Sequence, residues 1–192
     1  EAKLKAAADR IAALEERARA GVEVRLLYDA LGSRGLDRNA LAPLLRAGAS
    51  VAGFNPPSRW VPDFAPRRRD HRKILVVDDE VAFVGGLNIG DEYARRRDGR
   101  AAWRDAHLAI RGPAVQDLEA VFLESWFRAD AGDLEWASVL QIAPPERGDV
   151  RCAVLADGPV YQRRRMRELV VSALDEAREQ VLLVSPYFAP GR

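Results

Sequence analysis

His71, Lys73 and Asn88 are three side chains that a single phosphate could engage together, and they stand in a patterned segment. His71-Arg72-Lys73-Ile74-Leu75-Val76-Val77-Asp78 is followed by Gly85-Gly86-Leu87-Asn88, which reads H-x-K-x4-D-x6-G-G-x-N. At average residue usage, six fixed positions coincide roughly 10⁻⁸ times per starting point, so accident is a poor explanation. A neutral imidazole is a good nucleophile toward phosphorus, and an ammonium group can neutralise oxygens that gain charge in the transition state. Neither role requires a metal or another cofactor. Asn88 could donate an amide hydrogen bond to the phosphate, and Gly85 and Gly86 lack side chains that would keep a phosphate from the backbone.

These residues must be held by strands. RKILVVD and VAFVGG are apolar runs separated by Asp79-Glu80, which predicts a hairpin with strands over 72–78 and 81–86. On such a strand His71 and Lys73 share a face, roughly 6–7 Å apart at about 3.3 Å of rise per residue. Strict alternation turns Asp78 to the other face at the hairpin turn, where it either organises the turn or serves as charge partner to a catalytic histidine. His107 falls on a further strand, 106–111, as a satisfied structural histidine or as a second acid of the site. Arg67-Arg68-Arg69 just upstream would raise the local concentration of an anionic substrate, or form a solvated basic loop. Lysine occurs only at 3, 5 and 73 in an arginine-rich chain, so Lys73 is an exception where a compact ammonium is wanted.

The remaining pattern is that of an α/β chain. Leu4, Ile11, Leu14 and Ala18 recur at helical spacing and Gly21 follows, which predicts an outer helix over 2–20 and then a buried strand at 22–28. A helix over 38–47 and a short strand SVAGF follow. Four prolines between Asn55 and Pro66 mark a loop, whose Trp60 and Phe64 either rim a substrate site or pack on the domain. Gly112-Pro113 opens a helix with Val115, Leu118, Phe122, Trp126 and Ala129 on one stripe, read as core. Pro144-Pro145-Glu146-Arg147-Gly148-Asp149 reads as a linker. RCAVLA, a helix over about 161–179 and QVLLVSPYF then form a β-α-β sequence, too small to be a domain by itself.

With 192 residues, 48% hydrophobic and 31% charged, the chain can bury one good core and part of a second. A formal charge of +1 does not point to nucleic acid as a partner. The lone Cys152 excludes an intrachain disulfide and a cysteine-rich zinc site. No apolar run reaches the length that spans a bilayer, and the charged N-terminal stretch is unlike a signal peptide.

The motif, together with LLYDALGSRGL, HRKILVVDDEVAFVGGLNIGDEY, WRDAHLAIRGPAV and VFLESW, resembles the phospholipase D superfamily and within it the bacterial cardiolipin synthases. The resemblance implies an α-β-α sandwich around a central mixed sheet, with strands at 22–28, 72–78, 81–86, 106–111 and a candidate fifth at 181–186. It implies catalytic His71, Lys73 and Asp78, phosphate-binding Asn88, Gly85 and Gly86, and no metal. The family joins two such motifs, from two halves or two subunits. One histidine attacks phosphorus to form a phosphohistidine, and the other protonates the leaving alcohol. Only one motif is present here. The implied organisation is therefore a first phospholipase D-like domain at 1–143 without its opening strand-helix-strand, a linker at 144–149, and the opening of a second repeat at 150–192. That last piece is expected to fill the gap in the first sheet, in cis or by swapping. The implied activity is phosphatidyl transfer on an anionic phospholipid at a bacterial membrane surface, completed by a missing half or a second copy. A dimeric phosphodiesterase or nuclease, and a non-catalytic fragment, are the alternatives.

Overall fold

A computed structural model describes residues 2–56, 69–90, 93, 102–132, 144–156 and 163–184, in two units, Glu1–Val154 and Leu155–Arg192. In the first unit, helix α1 runs from Ala2 to Arg19 and carries Arg17 and Arg19 in its last turn, where cations favour the carbonyl end of the dipole. It stops because Gly21 takes φ +87°: the Val22 N–H donates to Arg17 O (3.0 Å) and the Gly21 N–H to Ala18 O (3.0 Å), the Schellman pattern that a left-handed glycine permits. Ile11, Leu14 and Ala18 then pack on Val24, Leu26, Leu44, Ala49 and Val51.

Strand β1, Arg25–Asp29, pairs in parallel with β2, Ser50–Phe54, with Leu26 opposite Val51. The crossover holds a short 3₁₀ turn, Arg38–Leu41, and helix α2, Ala42–Arg46, where a helix over 38–47 was expected. Asp37 starts the turn by accepting from the Asn39 N–H, and Pro43 lies in the first turn of α2, where a missing N–H costs nothing.

Strands β3, Ile74–Val77, β4, Val81–Gly85, and β5, His107–Arg111, form an antiparallel trio in sequence order. The turn between β3 and β4 closes through the Glu80 N–H donating to Val77 O (3.1 Å). Asp78 and Asp79 are both left-handed there (φ 53° and 54°), as a type I′ turn requires. Helix α3, Ala114–Arg128, covers one face of the trio, seating Val115 and Leu118 against Ile74, Val76, Ala82, Val84 and Ile110. Its Phe122 also lines a cavity with Leu27 of β1. Because Leu26 faces α1 and α2 while Leu27 faces α3, helices lie on both sides of β1 and β2. This is the helix-sheet-helix layering of the expected α/β class.

Two expectations differ from the structure. The described strands form two hydrogen-bonded sheets, β1-β2 and β3-β4-β5, and not one continuous sheet. Residues 151–156 and 181–184, read from the sequence as strands, are irregular. Apolar, β-branched residues favour a strand only when a neighbouring strand supplies ladder partners, and none does so here among the described residues. The second unit contributes helix α4, Arg163–Glu176, against an expected 161–179, and its described side chains from Met166 onward are exposed.

Candidate active site

The motif histidine precedes β3 in place of lying on it. Residues 71–73 are irregular and the ladder begins at Ile74, so the expected strand start at 72 moves by two residues. Side chains and helix α3 hold this irregular stretch. Upstream, the Asp29 carboxylate at the end of β1 accepts from the Asp70 N–H (3.1 Å) and pairs with Arg69 Nε (3.2 Å). Downstream, Arg72 reaches α3 and donates to Val121 O (3.2 Å), Ser125 Oγ (2.7 Å) and Glu124 Oε2 (2.9 Å). The Asp70 carboxylate accepts from the Arg72 N–H (2.9 Å). Between these anchors His71 is exposed, and Lys73 Nζ donates to the carbonyl of His71 (2.8 Å).

Partial burial lowers the pKa of Lys73 below its ordinary 10.5, and the negative charges of Asp70 and Asp105 act against that shift. Asp105 and His107 enter through the glycines. Gly85 pairs with His107 across β4 and β5, and a Cβ on Gly85 would lie 2.7 Å from His107 Nδ1 and collide with Ala106 O. A Cβ on Gly86 would collide with the Asp105 carboxylate. The glycines therefore have a requirement that the sequence did not reveal, namely the close approach of β5. His107 is half-buried and its buried Nδ1 has no hydrogen-bond partner among the described residues, so the satisfied structural histidine is not what is found at that atom.

Asn88 is exposed after β4, and its Nδ2 donates to the Tyr93 hydroxyl (3.1 Å). Trp103 meets Tyr93 edge to face at 5.8 Å and is 65% exposed, so an aromatic pair stands beside the amide. Asp78 is not brought to His71. It begins the hairpin turn, separated from Ile74 by the whole of β3, roughly 13 Å at the usual rise per strand residue. Trp60, Phe64, Arg67 and Arg68 lie outside the described residues. Arg69 serves the Asp29 anchor and also donates to Phe54 O (3.3 Å) and Asn55 O. The sequence reading passed over Asp29, Asp70, Arg72, Asp105 and Tyr93. Their only signal was membership in the stretches LLYD, RDHRK, GDEY and WRDAH.

The cavity of about 60 Å³ lined by Leu27, Tyr28, Asp29, Asp70, Arg72, Ile74, Phe122 and Ser125 contains neither His71 nor Lys73. It is the seam between the two sheets on the α3 side, behind the motif. Among the described residues no group of histidine, cysteine and carboxylate side chains is arranged to hold a metal ion, and no helix is long and apolar enough to cross a membrane.

An exposed histidine and a half-buried lysine before a glycine-ended hairpin, on an α/β frame, form the arrangement expected of the phospholipase D class. Residues 5–126 match the family described as cardiolipin synthase, PLD-like domain, and the chain belongs to that family. It is 37% identical to cardiolipin synthase 1 of Bacillus cereus over 186 residues, covering 93% of this chain and 36% of that protein. It is 41% identical to cardiolipin synthase A of Pseudomonas fluorescens over 179 residues, covering 93% and 37%. Cardiolipin synthase of Geobacillus kaustophilus is 38% identical over 180 residues, covering 92% and 36%. The chain thus spans little more than a third of the length of these relatives.

Proposed function

We propose that this chain carries one half of a phospholipase D-type phosphatidyltransferase site that acts on an anionic phospholipid at a membrane surface, as the cardiolipin synthase relatives' names suggest. The observation that carries this reading is the exposed His71 next to a partly desolvated Lys73 whose ammonium is tied to the His71 carbonyl. That arrangement leaves the imidazole open and places a cation where phosphoryl oxygens would collect charge. In the proposed sequence a His71 ring nitrogen attacks phosphorus as the bond to the leaving alcohol breaks. An acid supplied by a second motif protonates that alcohol. An acceptor alcohol then gives its proton to that now-deprotonated group and attacks phosphorus, and the nitrogen-phosphorus bond breaks to return His71. Lys73 and Asn88 would hold the phosphate, with Gly85 and Gly86 keeping the backbone low beside it. Asp78 belongs in this reading to the turn that sets the hairpin.

Labelled phosphatidylglycerol incubated with the chain and a second-motif partner should leave an acid-labile phosphohistidine that His71→Ala lacks. Plasmid cleavage assayed in parallel decides for the nuclease reading. A label that persists in His71→Ala would end the assignment of the nucleophile.

A further inference from the structure

We propose that Asp29 is the positioning residue of the His71 loop, acting through the backbone that presents the imidazole; the proposal rests on the reading of His71 as the phosphate-facing nucleophile. Asp29 ends β1, far from the motif in sequence, yet its two carboxylate oxygens divide between two tasks. Oδ1 closes the local turn, accepting from the N–H groups of Leu31 (3.0 Å) and Gly32 (2.7 Å). Oδ2 accepts from the Asp70 N–H (3.1 Å) and pairs with Arg69 Nε (3.2 Å), with the Asp29 and Arg69 side chains only 15% and 18% exposed.

Residues 71–73 have no ladder to hold them, and each unfixed residue keeps backbone freedom that must be removed to fix its side chain in place. A nucleophile must be held to within about half an ångström of its productive position. The downstream end of the loop is secured three times by Arg72 on α3. The upstream end is held by the Asp29 carboxylate, through an ion pair that is largely shielded from water and so is little screened by salt, together with the Arg69 hydrogen bonds to Phe54 O and Asn55 O. Without it, the imidazole would sweep a range of positions although the fold around it survives.

The division of oxygens makes the idea testable. Asp29→Asn keeps an oxygen for Leu31 and Gly32 but puts an NH₂ group where Oδ2 was, and that group cannot accept from Asp70 or Arg69. The chain has two histidines, so histidine-selective labelling yields two imidazole signals, assigned with His107→Gln. Inorganic phosphate is the probe. In Asp29→Asn the His107 signal should stay in place, the His71 signal should broaden or double, and phosphate affinity at His71 should fall about tenfold. An unchanged His71 signal and unchanged affinity in the folded variant would overturn the proposal. Should Asp29→Asn lose the His107 signal through unfolding, Arg69→Gln removes the same ion pair from the other side and must broaden His71. A sharp, wild-type His71 signal there overturns it equally. If His71 of the unsubstituted chain ignores phosphate but broadens in Asp29→Asn, the nucleophile reading fails and the positioning role stands.

Discussion

Lys73 and Glu119 are ionisable groups whose surroundings push them toward the neutral form, and only one of them was visible in the sequence. Lys73 stands out because lysine is scarce in this chain, and its ammonium fits a compact space against the His71 carbonyl. A guanidinium is planar and larger, so Lys73→Arg should weaken phosphate binding at least about tenfold in an equilibrium titration, despite its retained charge. Glu119 lies on α3, where burial first, and then the charge of Asp79, raise its pKa from 4.5 to about 7, with Arg25 acting in the opposite direction. The sign follows from the unfolded chain ionising first. Stability is fully present below about pH 4.5, is lost as pH rises toward 7, and stays reduced above it. Glu119→Gln should therefore stabilise the protein at pH 8 by about 1 kcal/mol, less than the full shift implies because solvent screens the carboxylate, and should flatten that part of the denaturation profile. An unchanged profile would remove Glu119 as its source. This effect was illegible in the sequence because it depends first on how deeply α3 buries Glu119 and then on Asp79 and Arg25, which come from a turn and a strand far apart in the chain.

At the scale of elements, the hairpin and α3 were readable from periodicity, while their interlocking was not. The apolar runs RKILVVD and VAFVGG, broken by Asp79-Glu80, specify a hairpin of two strands, while the left-handed conformation of Asp78 and Asp79 is seen only in the structure. Of the expected stripe, Val115, Leu118 and Trp126 are buried while Phe122 and Ala129 are half-buried, and Leu123 and Ser125 are buried too, because α3 covers the trio and also reaches β2. The true start of β3 escaped notice because an apolar pattern cannot tell a ladder residue from one held by side chains. Gly85→Ala should destabilise the protein by about 1–3 kcal/mol in urea unfolding, since the Cβ would meet the backbone of Ala106 and His107, which cannot swing away as a flexible side chain would. A variant as stable as the parent would show that β5 can withdraw. Arg72→Ala leaves Glu124 with Arg128 alone among the described residues and removes three hydrogen bonds to α3. A loss of about 2 kcal/mol is expected, and Arg72→Lys should recover little of it, because one ammonium cannot reproduce the fork.

For the whole molecule, the two described core clusters lie within Glu1–Val154, with Val154 packed on the second of them. A chain ending at Val154 should therefore unfold cooperatively with a midpoint close to that of the full chain, and a loss of more than about 1 kcal/mol would mean that residues after 154 stabilise the first unit. The outer face of the β3-β4-β5 trio carries exposed Leu75 and Val77, and the chain covers little more than a third of its relatives. By itself the sequence determined the family, the choice of His71, Lys73 and Asn88 as candidate site residues, and the α/β class. All three follow from local spacing, which is written along the chain. Tertiary structure alone decided that Gly85 and Gly86 make room for Asp105 and His107, and that Asp29 and α3 hold the loop presenting His71. Those relations join residues tens of positions apart, and hydrogen bonds and excluded volume act through space with no trace in the periodicity of either partner.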